Sequence, residues 1–375
     1  MKSTNKVRAF SLLLAVCVLL SVFTAGVSAV SGTEGNARWE IKDGVLTVYG
    51  GDLPDHTAST APAYALLSGK VRRIVVGEGV SYIGERSFED MTAVTRVEIG
   101  EGVTSIGKMA FSGCSSLEGV TLPSSVTSIG DFAFAECLSL KTVSLSRGLA
   151  ELGEGVFELT PSLRSITSDG ERYVTKNGIL CDTVKSSVYR FPSASIATSV
   201  TLEGWVTAVE RGAFRDAAGL TGVNMPSVTD IGEGAFYGCS SLENIKMPMA
   251  KTIGMASFYG CGMQEMYLPA SLESIGDSAF AFCQRLTTAD FAGNAPAAED
   301  GIFYGADPTF MILADPSCTG FGNEKWLSYP VMYHNIYGGE ADGIVWTLNS
   351  RTGEFTATGN GGAIPDYESP ADAPW

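Results

Sequence analysis

Apolar positions recur along most of this chain with a period of 21 to 23 residues. Each period opens on an alternation such as Leu117, Val120 and Leu122, which predicts a short strand with one buried face because strand side chains alternate between two faces. A Pro or Gly ends that strand, and a second extended segment follows, such as VTSIG at 126–130. An Ala-Phe pair then predicts an aromatic ring directed into the interior.

Eight copies of this pattern lie in two blocks, 71–162 and 197–285. The Phe of the Ala-Phe position, which is Ser-Phe in some copies, falls at residues 88, 111, 134, 157, 214, 236, 258 and 280. One copy cannot enclose a core, but stacked copies bury continuous rows of Leu, Val, Ile and Phe. The sequence therefore predicts a β-rich solenoid whose coils lie about 4.8 Å apart.

The strand start resembles the leucine-rich repeat motif, and the segment SIGxxAFxGCSSL resembles the BspA-type branch of that family. The resemblance covers 71–285 with one interruption. It implies a leucine-rich repeat solenoid of the kind found on bacterial cell surfaces. For function it implies adhesion to host matrix proteins or to other cells.

The interruption covers 163–196 and contains the segment ERYVTKNGILCDTVKSSVYRFP. Asn177-Gly178 between two alternating runs is typical of a tight hairpin turn. We interpret the segment as one repeat start that is extended by a hairpin projecting from the solenoid. A tolerated insertion and a binding element are both consistent with this pattern.

Both ends of the repeat region depart from the pattern. Terminal coils need an atypical outer face, so we expect an N-terminal β cap at 30–70 and a C-terminal cap at 286–334. Residues 335–375 contain a second, incomplete copy of the N-terminal cap, since WTLNSRTGEFTATGNGGAIPDYESPADAPW echoes WEIKDGVLTVYGGDLPDHTASTAPAY. We expect this copy to begin a second solenoid, in a longer tandem protein.

Residues 1–29 have the pattern of a secretory signal peptide. Basic residues precede an apolar run, and small residues occupy the end at Val27-Ser28-Ala29. Lipidation at Cys17 is not expected, because Val16 is a poor residue before a lipidated cysteine and the apolar run continues beyond it. No later stretch is long and apolar enough to cross a bilayer. The sequence therefore predicts a secreted or cell-surface protein without membrane insertion after signal removal.

The charge balance disfavours two classes of partner. The 375-residue chain carries a formal net charge of −16. Removing the three basic residues of the signal peptide leaves 22 Lys and Arg against 41 Asp and Glu, or −19. Nucleic acid and anionic membranes attract basic surfaces, so neither is expected as a partner.

Seven cysteines follow the signal peptide, and five of them occupy equivalent repeat positions. Equivalent positions stack as parallel side chains, and metal sites need clustered spacing that is not present here. We therefore predict a row of buried thiols that behave as small hydrophobic residues: Cys114, Cys137, Cys239, Cys261 and Cys283. Cys181 and Cys318 lie outside this row, and whether they pair is left open.

No recognisable catalytic or cofactor motif is present. GVTSIGKM at 102–109 nearly matches a phosphate-binding loop, but Met109 replaces the hydroxyl residue that would contact Mg²⁺. The only histidines are His56 and His334, one in each cap, and no triad or metal-binding spacing occurs. The prediction is therefore a protein that is not an enzyme and has no cofactor or metal.

The outward-facing position of the first strand in each coil is the best candidate for a binding surface. It forms a row of short polar groups that ends in Lys, Tyr and Asp, which suits hydrogen bonding to a protein or glycan. An ordinary solvated sheet is the alternative. The candidate residues are Glu98, Thr121, Ser144, Thr201, Asn224, Lys246, Tyr267 and Asp290.

These features together predict a secreted or cell-surface, non-catalytic binding or adhesion protein. A ligand on a host matrix or on another cell surface is expected. Two other hypotheses remain open at this stage. The repeats could be an accessory segment of a larger extracellular enzyme, or the protein could be a structural component of the cell envelope.

Overall fold

A computed structural model describes residues 29–334 with their side chains. Farther along the chain it describes the backbone of three strands, at 336–341, 344–349 and 355–359. The expected signal peptide therefore lies outside the described residues except for Ala29, which begins the first strand. Among the described residues, none belongs to a helix long and apolar enough to cross a membrane.

The chain is a β-solenoid of about 11 turns with almost no helix, which confirms the predicted fold class. Two compact units divide it. The N-terminal unit contains the described chain up to Thr198, together with Ala208–Leu220 and Gly234–Ser240. The C-terminal unit contains Ser199–Thr207, Thr221–Glu233 and the described chain from Ser241 onward.

A three-stranded antiparallel meander opens the N-terminal unit: β1 (Ala29–Glu34), β2 (Ala37–Lys42) and β3 (Val45–Tyr49). Gly32 is the register partner of Trp39, and a Cβ atom at Gly32 would lie 2.7 Å from the indole ring. Only glycine therefore leaves room for this buried tryptophan. A 3₁₀ helix at Ala63–Lys70 then leads into the first coil.

The longer strand of each coil forms what we call the first wall. In the N-terminal unit β4 and β6 continue the meander's sheet in parallel, and β8, β10 and β12 form a second parallel sheet. Inward positions such as Ile74, Val120 and Val143 are buried. The strands are β4 (Arg73–Val76), β6 (Arg96–Ile99), β8 (Gly119–Thr121), β10 (Thr142–Ser144) and β12 (Ser165–Thr167).

A second wall is built from the VTSIG-like segments, as two-residue parallel strands. Its inward residues Ile83, Ile106 and Ile129 are buried. A two-residue strand suffices because each coil is also held by hydrogen bonds to the coils before and after it. The strands of this wall are β5 (Tyr82–Ile83), β7 (Ser105–Ile106), β9 (Ser128–Ile129) and β11 (Glu151–Leu152).

The predicted hairpin forms at Asn177-Gly178. Both residues have positive φ, 51° and 79°, as the tight turn requires. The turn joins β13 (Tyr173–Lys176) to β14 (Ile179–Asp182) in antiparallel register.

The hairpin does not project from the solenoid as we expected. All of β14 is buried, and β15 (Ser187–Arg190) pairs with β14 on one side and in parallel with β17 (Ala208–Val209) on the other. The hairpin is thus part of a wall. Apolar residues at Ile179, Leu180 and Cys181 explain this burial, because they would otherwise be exposed to water.

The C-terminal unit repeats the two-wall arrangement. Its first wall begins with three parallel strands: β16 (Ser199–Thr201), β18 (Gly222–Asn224) and β20 (Asn244–Lys246). Its second wall contains β19 (Asp230–Ile231), β21 (Thr252–Ile253) and β23 (Ser274–Ile275).

Coils continue beyond residue 285, where the sequence pattern decays. Parallel pairing joins β22 to β24, β24 to β25 and β25 to β27, and an antiparallel edge strand, β26, completes the sheet. The segment expected as a C-terminal cap therefore begins with regular coil strands. The strands are β22 (Glu265–Leu268), β24 (Thr288–Phe291), β25 (Met311–Ala314), β26 (Lys325–Trp326) and β27 (Tyr329–Tyr333).

The backbone farther on forms a second antiparallel meander: β28 (Ile336–Ala341), β29 (Ile344–Asn349) and β30 (Phe355–Gly359). Its strand order is that of β1, β2 and β3. Trp346 is the register partner of Gly339, just as Trp39 is the partner of Gly32. The two segments that are similar in sequence therefore also share the same backbone register.

Buried aromatic rings stack from coil to coil. In the N-terminal unit the Phe111 and Phe134 centroids lie 5.1 Å apart with nearly parallel planes, and in the C-terminal unit Phe258 and Phe280 lie 5.2 Å apart. The eight phenylalanines named above are all buried. Three further rings extend these stacks: Tyr64, Phe191 and Phe303.

The predicted row of buried thiols is confirmed. All five repeat cysteines are buried thiols. Cys114 donates a hydrogen bond to the Phe88 carbonyl of the preceding coil (3.2 Å), and Cys283 does the same to Phe258 (3.0 Å). Cys181 is a buried thiol as well, and Cys318 is a partly exposed one.

Removing a stacked ring should destabilise the packing of its coil against the neighbouring coils. We expect Phe134→Ala to lower the free energy of unfolding by about 3–5 kcal/mol, because it leaves a cavity between two rings. Phe282→Ala, at a ring that is 41% exposed, is the matched control and should cost about 1 kcal/mol or less. Urea unfolding followed by circular dichroism measures both, and equal losses would contradict the stacked core.

Burial raises the pKa of Cys137 and of Cys283 to about 12, so these thiols should resist alkylation at pH 8. Cys318 is partly exposed and should react with iodoacetamide in the native protein. The raised pKa also favours the folded state below about pH 9, and this contribution is lost as pH rises toward 12. Mass spectrometry of native and urea-unfolded samples checks the labelling; native labelling of the repeat cysteines as fast as Cys318 would refute it.

Candidate functional site

The first wall of the N-terminal unit places Glu98, Thr121 and Ser144 on its outward face. Thr121 and Ser144 are register partners on neighbouring strands, and Thr167 continues the same row. Their short hydroxyl side chains form a flat, polar strip. The polar row predicted from the sequence is present here, but nothing in these three residues creates a concave surface.

Glu98 is paired with two arginines and remains about one-third exposed (33%). Arg73, on the neighbouring strand, donates a short hydrogen bond to its carboxylate, and the Arg96 Nε lies 3.0 Å from it. The hydrogen bond from Arg73 holds the pKa of Glu98 below its usual range. This candidate is thus part of a surface charge cluster on β4 and β6.

In the C-terminal unit the candidates form two separate rows. Thr201, Asn224 and Lys246 are successive register partners on β16, β18 and β20. Tyr267 and Asp290 are partners on β22 and β24. The Tyr267 side chain is 53% exposed, which is unusual for an aromatic ring of this size on a sheet face.

The wall is interrupted between these two rows. Strands β20 and β22 belong to different sheets, and most of their Cα atoms lie more than 8 Å apart. Adjacent strands in a sheet are separated by about 4.8 Å. Within the described part of the C-terminal unit, no backbone hydrogen bond joins β20 to β22.

The interruption is clearest in two series of hydrogen bonds that link successive coils. Leu202 N–H donates to Asn224 O (2.9 Å) and Met225 N–H to Lys246 O (2.8 Å), but Met247 N–H makes no equivalent bond to Tyr267 O. A second series runs along the start of each strand, and the described residues lack its bond at this junction too. Its members include Glu243 N–H to Thr221 O (3.0 Å) and Thr287 N–H to Gln264 O (2.9 Å).

A connection that is one residue shorter than usual lies next to the gap. Two residues separate the repeat cysteine from the next strand's first apolar residue in the other coils, as in Cys239-Ser-Ser-Leu242 and Cys283-Gln-Arg-Leu286. Only Gly262 separates Cys261 from Met263. The second wall stays intact, since Thr252 and Ser274 remain register partners. The interruption beside the shorter connection therefore affects the first wall alone.

The gap forms a groove of about 670 Å³ on the outward face. Ile245, at an inward position, is only partly buried there, whereas the equivalent Val223 is buried. The groove brings together three of the sequence-predicted candidates, Lys246, Tyr267 and Asp290. Its polar lining also includes Glu243, Glu265 and Thr288.

Asp290 has a partner that the sequence did not suggest. The His334 Nε2 lies 2.9 Å from the Asp290 Oδ1, and the His334 backbone N–H donates to Ala314 O. The two side chains are 44 positions apart in the chain and meet because β27 brings His334 beside the sheet. This contact fixes the Asp290 carboxylate at one end of the groove.

Carboxylates outnumber basic groups in the groove lining. Glu243, Glu265 and Asp290 face one lysine, Lys246. Glu243 also pairs with Arg285, whose Nη1 lies 2.8 Å from the carboxylate. Both partners of that pair are about half exposed, so it contributes little to stability.

Two other concave regions lie away from the candidate residues. In the N-terminal unit a cavity of about 200 Å³ adjoins Arg190, which donates to Gly212 O and Ser193 Oγ and whose pKa burial lowers to about 10. In the C-terminal unit an open groove of about 600 Å³ lies beside Tyr304 and Tyr329. Sequence reasoning found neither region.

No cluster of three or more His, Cys, Asp or Glu side chains suited to a metal ion occurs among the described residues. The candidate groove offers amide, hydroxyl, ammonium and carboxylate groups around one exposed aromatic ring. Such a lining can form hydrogen bonds and ion pairs with a ligand. Its lining contains no Ser or Cys nucleophile paired with a His base.

Comparison with solved structures identifies bacterial leucine-rich repeat proteins. A leucine-rich repeat protein from Eubacterium ventriosum is 20% identical, with a TM-score of 0.55 over 81% of this chain and 85% of that one. The pneumococcal vaccine antigen PcpA is 17% identical, with a TM-score of 0.57 over 82% and 94% of the two chains. A leucine-rich cell surface protein from Faecalibacterium prausnitzii is 21% identical, with a TM-score of 0.51 over 82% and 95%.

Comparison with curated proteins gave no match to this chain. The family model of the BspA type leucine rich repeat region matches residues 60–179 and 189–324, in six copies. That match covers more than half of the chain and leaves out only part of the hairpin segment between its two blocks. The chain therefore belongs to the BspA-type leucine-rich repeat family.

Proposed function

We propose that this protein is a non-catalytic binding protein, secreted or displayed at the cell surface, that presents its first wall to a protein or glycan ligand. The observation that carries the proposal is the groove between β20 and β22. It is a concave site on the outward strand face, where the sequence placed the candidates Lys246, Tyr267 and Asp290.

The chemistry of the groove suits recognition. Tyr267 offers an exposed ring with a polar tip, a combination enriched at the energetic centres of interfaces. Lys246 and Asp290 add groups of opposite charge on either side of it. Because the strands that carry these residues are paired on their other edges, the site is largely ordered before a ligand arrives, which reduces the entropic cost of binding.

The proposed location rests on two supports. The first 29 residues have the pattern of a secretory signal peptide. The Faecalibacterium relative is named a cell surface protein, and the pneumococcal relative is named a vaccine antigen. An adhesive role toward host matrix or another cell would use the strand face while the opposite wall maintains the core.

Truncation of the exposed groove tyrosine should weaken binding of the ligand. We expect Tyr267→Ala to weaken binding about 10- to 100-fold, the loss typical of truncating a central interface residue. Tyr304→Ala, at a tyrosine 64% exposed elsewhere in the same unit, is the matched control and should bind like the unaltered protein. Binding is measured on arrays of matrix proteins and glycans, followed by titration of each positive ligand.

A protein that captures nothing above a scrambled-sequence control would count against the proposed function. A ligand that binds both variants equally well would place its site outside the groove and would contradict the assignment to Tyr267. Retained thermal unfolding temperatures show that each variant is folded.

A further inference from the structure

We infer that the groove between β20 and β22 accepts one extended peptide segment bearing a basic side chain, which joins the first wall by main-chain pairing. This inference rests on the proposed function and names the ligand class of that same site. Its starting point is that two neighbouring strand edges face each other without bonding to each other.

The edge of β20 has open backbone groups. In a parallel ladder, alternate residues direct their N–H and C=O groups to opposite neighbours. Lys246 O accepts a hydrogen bond from Met225 N–H, so Lys246 is turned toward β18. The main-chain groups of Ile245 and the Met247 N–H are then turned toward β22, where the described residues offer them no main-chain partner. The Met247 C=O is used within its own coil, since it accepts from Ala250 N–H (3.2 Å).

The edge of β22 is open in the same way. Gln264 O accepts from Thr287 N–H, and Leu268 O accepts from Ala292 N–H, so these residues are turned toward β24. Glu265 and Tyr267 lie between them in the alternation and are turned toward β20. Donors and acceptors therefore line both sides of one gap, which is the arrangement that strand addition uses.

The gap is wider than the spacing between paired strands. A strand that pairs on both sides needs about twice the 4.8 Å spacing between its neighbours. Most Cα atoms of β20 and β22 lie more than 8 Å apart, and the groove holds about 670 Å³. A glycan would use the side chains of the groove but would leave these main-chain groups without equivalent partners.

Charge selects among extended peptides. Arg285 pairs with Glu243, and His334 contacts Asp290. Glu265 forms no ion pair among the described residues, so a basic side chain placed beside it gains more than an acidic one. The partly buried Ile245 and Leu313 provide an apolar surface at the same site. A fitting segment therefore alternates apolar residues with polar residues, including Lys or Arg.

Selection from a library of random heptapeptides on phage, panned against the purified protein, tests the inference. Selected peptides should alternate apolar and polar residues and should contain Lys or Arg. A synthetic copy of the best one, N-methylated at alternate amides to remove main-chain donors, should bind at least tenfold more weakly. Selected peptides that lack this pattern, or that bind equally well after N-methylation, would overturn main-chain pairing.

Restoring the missing residue should close the site. Insertion of one serine between Gly262 and Met263 returns the connection to the usual length, and we expect it to reduce affinity for the selected peptide at least tenfold. Glu265→Gln should reduce affinity a few-fold. Glu273→Gln, at an exposed carboxylate on the other side of the coil, is its matched control and should bind like the unaltered protein.

Hydrogen exchange provides a readout that does not depend on the insertion variant. The Met247 amide should exchange faster than the Met225 amide in the free protein and slow at least tenfold when the peptide is bound. A Met247 amide as protected as Met225 in the free protein would overturn the inference. An array ligand that binds the insertion variant normally would reject peptide addition while leaving the proposed function in place.

Discussion

The stacking of one aromatic ring on the next fixes how each coil lies on its neighbour. Most centroids of stacked phenylalanines in successive coils lie 4.7 to 5.3 Å apart, close to the strand spacing of about 4.8 Å, and the Phe134–Phe157 pair is wider at 6.2 Å. Because the two distances agree, rings and strand walls can share one register within each unit. The thiols follow the same register, since four of them donate to the carbonyl of the phenylalanine one coil earlier: Cys114, Cys137, Cys239 and Cys283.

This arrangement separates the residues that stabilise the fold from those on the outward face. Burial of each ring contributes about 1.5–3 kcal/mol, and the contribution comes from adjacent coils alone. Side chains at outward positions of the first wall take no part in ring burial. Equivalent repeat positions can therefore hold side chains as different as Thr121 and Tyr267. The groove shows the same separation. The first wall is interrupted there, while the rings of Phe258 and Phe280 in the interior remain stacked.

The sequence predicted the repeat, the rings and the thiols because each depends on local spacing. It missed Phe191, which follows Val188 by three residues where other coils use five, although Val188 pairs with Val209 as the pattern requires. The polar row was predicted, but the groove was not. A shortened connection could interrupt either wall. Which wall separates depends on the packing of the whole coil, which sequence spacing does not show. The contact of Asp290 with His334 depends on distant chain segments and leaves no local signal.

The single residue missing after Cys261 has a consequence for how such a surface changes over evolutionary time. In a globular core a deletion disturbs packing in every direction, whereas here it alters one junction and leaves the neighbouring coils as they were. Under the proposed function, loss or gain of one residue in such a connection would change the binding surface while the composition of the interior stays unchanged.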